Sequence, residues 1–175
     1  MARPIQPTIR THAGESAGEG VTPEEFRDAV SYWATGVAVL AVREDDDVEA
    51  ITVTAFTPLS ANPPLVLACV GNDAAALYMV LETGRFTLNL LALGDRRAAS
   101  AYAQRLPLEP SPFEAEGDPV LRGAPVSLVC RLWETHPGGD HRVVIGQVER
   151  VVRGGEGAPL LYYRRGYRAL ENGED

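Results

Sequence analysis

Apolar and polar positions along this chain come in short blocks whose period changes several times. From Thr22 onward, Phe26, Val30 and Trp33 recur at helical spacing. Thr22, Pro23 and Glu25 supply a cap, a first-turn proline and the return partner of a capping box, so a helix is predicted to start at Thr22 and to end by Gly36. Residues 37–43 are a continuous, β-branched apolar run and predict a buried strand. An acidic turn at 44–47 leads into the partly alternating residues 48–56, a second strand forming a hairpin with the first. Asn62-Pro-Pro64 breaks the chain, and 65–70 is a third strand. A short helix over 74–82 stops at Gly84, 85–93 is a strand, and 95–105 is an Ala-rich helix opened by an acidic residue. Pro107, Pro110 and Pro112 make 106–118 a loop. Residues 126–135 and 141–152 are two long strands joined by a Pro-Gly-Gly turn, and 160–163 with 167–170 form a last hairpin around Arg165-Gly166.

Many strands, few helices and hairpin-length connections predict a mainly β, antiparallel barrel with a few flanking helices. Neither a glycine-rich strand-to-helix turn of the dinucleotide-binding kind nor a Walker-type loop is present, so a nicotinamide cofactor would bind without a Rossmann domain. A length of 175 residues with 45% apolar content suits one domain with its own core. Residues 1–20 are expected to be a disordered leader, 21–170 the folded domain and 171–175 an acidic tail.

Charge and cysteine usage narrow the function classes. The net charge is −8, of which Glu171, Glu174 and Asp175 supply −3; the first 20 residues balance two Arg against two Glu, leaving −5 on the domain. That disfavours nucleic acid as a partner. All 16 basic residues are Arg, a genomic bias and not a functional device. The start of the chain lacks the apolar core of a secretory signal, and no apolar run approaches the roughly 20 residues that cross a membrane, so a cytoplasmic protein is expected. Cys69 and Cys130 both sit in apolar strand-like runs and read as small buried hydrophobes, with no disulfide framework or metal site.

Three places carry candidate chemistry. Thr52 and Thr54, two apart in a strand, would turn both hydroxyls to one face, or serve simply as β-formers. Asn89 lies among apolar neighbours and needs partners if buried, which a ligand, a subunit interface or the core could supply. In His136-Pro-Gly-Gly-Asp-His141 a turn feeds His141 into a strand, where the imidazole can donate a proton or meet an anionic group. Asp140 is adjacent, but neighbours in a strand point to opposite faces, so a pair with His141 is not assumed.

Four pieces line up in order: Phe26-Arg-Asp-Ala29 leading into Ala34-Thr-Gly-Val37; Thr52-Val-Thr-Ala-Phe56 followed by Ser60-Ala-Asn-Pro-Pro-Leu65; Gly84-Arg-Phe-Thr-Leu-Asn-Leu-Leu91; and Gly138-Gly-Asp-His141 with Gly146. Together they resemble the flavin reductase family with its FMN-binding split-barrel fold. The resemblance implies a homodimer binding isoalloxazine near the subunit interface. It also implies reduction of FMN or FAD by NADH or NADPH, and a partner monooxygenase that receives the reduced flavin. It places Thr52, Thr54, Ala55, Ser60 and Asn89 around the flavin and His141 at the nicotinamide or in proton transfer; Tyr167 matches an aromatic near the family's C-terminus.

The chain departs from that pattern at 71–76, where the family holds the flavin phosphate with basic residues, a Ser and a Thr. Here the segment reads Gly71-Asn-Asp-Ala-Ala-Ala76, without a hydroxyl or a cation and with an added negative charge at Asp73. Two lost charge-assisted hydrogen bonds would weaken a phosphate by about 3–6 kcal/mol, unless an Arg from elsewhere, such as Arg85 or one on a partner subunit, compensates. Two alternatives follow: a barrel repurposed to cyclise or rearrange an apolar metabolite without flavin, and a non-catalytic binding module for flavin or another small molecule.

Overall fold

Residues 37–42 are apolar throughout because both faces of this strand are buried. In the computed structural model, which describes residues 20–170, Ala38, Leu40 and Val42 point into one core, and Val37, Val39 and Ala41 into another. The expected acidic tail and all but the last residue of the expected leader lie outside the described residues. The elements are α1 (Pro23–Val30), β1 (Thr35–Gly36), β2 (Ala38–Glu44), β3 (Asp47–Val53), β4 (Phe56–Ala61), β5 (Pro64–Gly71), α2 (Ala75–Thr83), β6 (Arg85–Leu90), α3 (Arg96–Ala103), β7 (Val126–Gly138), β8 (His141–Arg153), β9 (Leu161–Tyr163) and β10 (Gly166–Arg168).

Seven strands form one antiparallel sheet in the order β3-β2-β6-β7-β8-β5-β4, while β1, β9 and β10 form a small second sheet. The chain passes from β3, one edge of the large sheet, to β4, the other edge, through Thr54 and Ala55 alone. Two residues reach about 10 Å at most, so the sheet must curl until its edges meet. They meet without a β3–β4 ladder; on the β4 side the Cys69 N–H donates to the Ala55 carbonyl at 2.9 Å, carrying the β4–β5 pairing one residue past Phe56–Ala68. This is the expected mainly β split barrel.

The first core fills the barrel, with Leu40, Phe86, Leu88 and Val144 packed against Leu77 and Val80 of α2. The second lies outside the sheet, where α3 and residues 106–125 bring Ala99, Tyr102, Phe113 and Leu121 over Val39, Leu91 and Leu160. α2 ends where expected: Gly84, at φ +66°, takes the left-handed cap. Gly146 on β8 makes room inside the barrel, since a Cβ there would come 2.3 Å from Phe86 Cζ and 3.0 Å from Cys130 Cβ.

Register corrects two expectations about polar residues. Thr52 pairs with Val39, Val39 with Asn89, and Asn89 with Ser127, so these residues form one row across four strands. Directly paired residues share a face, and Val39 places the row in the second core. Asn89 is therefore a core residue and not a cleft residue. It is 0% exposed, its Nδ2 donates to the carbonyls of Val39 and Pro119, and its Oδ1 accepts from the Leu121 N–H and the Ser127 hydroxyl. Thr52 donates its hydroxyl to the Ala99 carbonyl of α3 at 2.8 Å, away from Thr54. The two-residue alternation does not reach Thr54 because β3 ends at Val53.

Two elements differ from the sequence pattern. The capping box at Thr22 and Glu25 forms as expected, but α1 stops at Val30 instead of running toward Gly36, because Thr35 and Gly36 pair with Tyr162 and Leu161 and draw the chain into a strand. Residues 48–56 are not one strand: the seam splits them, and β4 begins at Phe56. Pro58 hid this strand, and is tolerated because β4 is an edge.

Replacing Asn89 with Leu keeps the branched heavy-atom shape but adds bulk and strands two carbonyls, one N–H and one hydroxyl, and is expected to destabilise the fold by roughly 2–4 kcal/mol in denaturant unfolding. Gly146→Ala is expected to cost about 1–3 kcal/mol by overpacking against Phe86; an unchanged midpoint for either variant would contradict this packing.

Candidate functional site

The split in the barrel opens into a cleft of about 380 Å³. Thr54, Ala55, Phe56 and Thr57 form one wall, Leu67 and Cys69 of β5 the floor, and Trp33 with Thr35 the opposite wall. The volume lies within the range of roughly 300–1,000 Å³ common for small-molecule pockets, and the lining has their usual make-up of apolar surface with a few polar groups. The Thr35 hydroxyl is buried and has no partner. A buried polar group without a partner is costly, so a ligand offering hydrogen-bonding edges fits beside it. Trp33 is 76% exposed and lies where a flat ring could stack on it.

A second compartment of about 330 Å³ is bounded by 48–51 of β3, by 73–76, and by Tyr102, Arg105, Leu106 and Pro107. Its lining shares no residue with the first, but the two are neighbours along the chain. One boundary runs from Ile51 through Thr52 and Val53 to Thr54, and the other from Cys69 through Val70 and Gly71 to Asp73, so each segment separates the compartments by only a few extended residues, on the order of 10 Å. Arg105 is the cation here: its Nη2 lies 2.9 Å from Asp73 Oδ1, and its Nη1 donates to the Asp73 carbonyl at 3.4 Å. The Asp73 carboxyl is held below its usual range, first by the hydrogen bond from Arg105 and then by its charge.

His141 opens β8 opposite Gly71, as Val143 lies opposite Cys69. His141 thus shares a sheet face with Cys69 and Leu67 on the cleft floor. The preceding turn is Gly139-Asp140, with Gly139 at φ +69°, a backbone that suits glycine. The Asn72 N–H and Nδ2 fix this turn by donating to the carbonyls of Asp140 and Gly139 at 3.0 and 3.1 Å. Asp140 and His141 do pair: Oδ1 lies 2.7 Å from Nδ1. Asp140 is a turn residue, so strand alternation does not separate the two side chains. The hydrogen bond from His141, and then its charge, hold the Asp140 carboxyl below its usual range.

Of the residues expected around a ligand, Thr54 and Ala55 line the cleft, while Thr52 and Asn89 face the second core. Ser60 lies beyond the cleft on β4, paired with Leu65 past a register shift after Pro58. Tyr167 stacks edge-on against Tyr162 beside the second core. Sequence pattern places Trp33 in a helical stripe and gives Thr35 no role; the family-like Ala34-Thr-Gly-Val37 next to Trp33 is the local signal that could have marked this wall. Among the described residues no group of three or more His, Cys, Asp or Glu is arranged to hold a metal ion.

Comparison with known proteins agrees with this architecture. A family model described as flavin reductase like domain matches residues 30–171. The reductase component of 4-hydroxyphenylacetate 3-monooxygenase from Thermus thermophilus is 43% identical over 84% of this chain and 96% of its own length. An NADH-dependent flavin reductase from Rhodococcus is 36% identical over 90% of this chain and 93% of its own. Among solved structures, the flavin reductase component of a bacterial two-component tryptophan halogenase superposes with a TM-score of 0.78 at 34% identity, covering 86% of this chain and 99% of that one. An NADH:FAD oxidoreductase from Streptomyces globisporus, solved with NAD and FAD fragments, gives a TM-score of 0.77 at 27% identity, covering 90% and 100%. By the extent of the family match and the identity to these relatives, the chain belongs to the flavin reductase-like domain family.

Proposed function

We propose that this chain is an NADH-dependent flavin reductase that supplies reduced FMN or FAD to a partner monooxygenase. The cleft at the barrel seam carries the reading: a slot with Trp33 and Phe56 on its walls, an unpartnered buried hydroxyl at Thr35, and a second compartment a few residues along the chain, which suits a ring bearing a chain. The names of the relatives, NADH-dependent flavin reductase and monooxygenase reductase component, support it.

When bound, flavin accepts a hydride from the reduced nicotinamide. The chain supplies position and surroundings. Trp33, Phe56 and Leu67 exclude water from the ring faces, and Thr54 with Thr35 offers hydroxyls to its polar edge. Asp140 orients the His141 imidazole through Nδ1, leaving Nε2 for the nicotinamide side or for proton transfer. Ala55 contributes its small side chain, so the backbone can come close to the ring. The flavin-free rearrangement and the non-catalytic module draw no support from the relatives named above.

A second copy of the chain completes this reading. Phe26, Val30 and Trp33 are exposed around α1, no α1 residue is buried, and Leu67, Cys69, Val143 and Ile145 leave an apolar outer sheet face half-exposed. A homodimer would cover these surfaces and close the cleft. No helix of the described residues is long and apolar enough to cross a membrane. Free thiols at Cys69 and Cys130 and the use of NADH fit a cytoplasmic location.

Purified protein is expected to oxidise NADH only when FMN, FAD or riboflavin is added; absence of turnover with all three would sink the assignment. His141→Asn is expected to lower kcat/KM for NADH by about tenfold or more, with flavin affinity, read by fluorescence quenching, nearly unchanged. Phe26→Glu is expected to convert a dimer to a monomer in sedimentation analysis; a wild-type monomer would exclude the dimer.

A further inference from the structure

The second compartment has a charge pattern that the flavin reading does not use. Its walls carry Asp73, Glu49 and Arg105, two negative charges against one positive, for a net of −1. Tyr102 adds a neutral phenol, whose pKa burial raises further. Ala74, Ala75 and Ala76 add no hydroxyl. The cation, Arg105, is already engaged: Asp73 meets it through both a carboxylate oxygen and the backbone carbonyl. The Arg105 backbone is set by its place after α3, at φ +56° with its N–H donating to the Tyr102 carbonyl at 3.3 Å, while its side chain is half-exposed.

We propose that the Asp73–Arg105 pair makes this compartment indifferent to a phosphate on the flavin side chain, so that the chain reduces riboflavin about as efficiently as FMN. This rests on the flavin reductase reading, with the ring in the seam cleft and its side chain extending toward 73–76. FMN brings nearly two negative charges at neutral pH. The ion pair is solvent-exposed and weakly held, so Arg105 can swing onto a phosphate. Doing so leaves the Asp73 carboxylate unpaired beside the same phosphate, with Glu49 on the β3 side. Attraction and repulsion nearly cancel, and the phosphate confers little advantage. The neutral ribityl chain of riboflavin meets no such conflict.

The two members of the pair then have opposite signatures in one ratio, kcat/KM for FMN divided by kcat/KM for riboflavin. A ratio taken within one preparation is insensitive to loss of folded protein. The wild-type ratio is expected to lie within about threefold of one. Asp73→Asn removes the competing charge and frees Arg105, and is expected to raise the ratio roughly tenfold. Arg105→Gln leaves only acidic walls and is expected to lower it several-fold. A wild-type preference for FMN of about a hundredfold or more, or two variants that move the ratio in the same direction or not at all, would overturn the proposal while leaving the reductase reading intact. If none of the flavins is bound or reduced, both readings fall together.

Discussion

Thr54 and Ala55 must carry the chain between opposite edges of a seven-stranded sheet, and two residues reach only about 10 Å. That covalent limit forces the sheet to close, and the absence of a ladder at the closure leaves a cleft. The strands on either side are held by ordinary pairing, β2 with β3 and β5 with β4. Thr54 and Ala55 lie between the two strands and line the cavity, with the Ala55 carbonyl still accepting from Cys69 of β5. The candidate binding site thus sits beside a gap in the strand pairing, and other residues of the site are recruited to that gap.

Closure also divides the sheet's residues between an interior and an exterior layer. Most of this division was legible in the sequence. The apolar run at 37–42 signals a strand buried on both faces, Gly84 marks a helix end, and Pro107, Pro110 and Pro112 mark the long connection. What pattern alone could not supply was register. Thr52 and Asn89 have the right residue types for a polar site, yet Val39 stands between them in one row and carries both under α3. A single strand shows which residues share a face, but not whether that face meets a ligand or a helix.

The candidate site was legible where it depended on local chain and illegible where it depended on distant segments. Thr54, Ala55 and His141 stand in or beside their own turns, and short motifs identify them. Trp33 and Thr35 reach the cleft because β1 pairs with β9, some 125 residues away. Arg105 reaches Asp73 because α3 ends above the loop after β5. The missing cation at 71–76 was thus readable from sequence, but the nearby Arg that answers it was not, because no local rule links residues 73 and 105.

The turn between β9 and β10 has a consequence for how the amino-terminal region can be handled. Arg164 and Arg165 both hold left-handed backbone, at φ +47° and +59°, in a two-residue hairpin turn where Asn-Gly is the comfortable choice. Side chains bearing a β-carbon resist that geometry, and α1 and the residues just after it hold it in place: the Arg164 N–H donates to the Ser31 carbonyl at 2.8 Å, its guanidinium lies 4.7 Å over the Tyr32 ring, and Arg165 lies 3.8 Å from Asp28. Trimming the chain ahead of Thr35 would therefore release a spring as well as shorten a terminus. The β9–β10 ribbon would lose its brace, and with it the strand that seats Thr35 at the edge of the cleft.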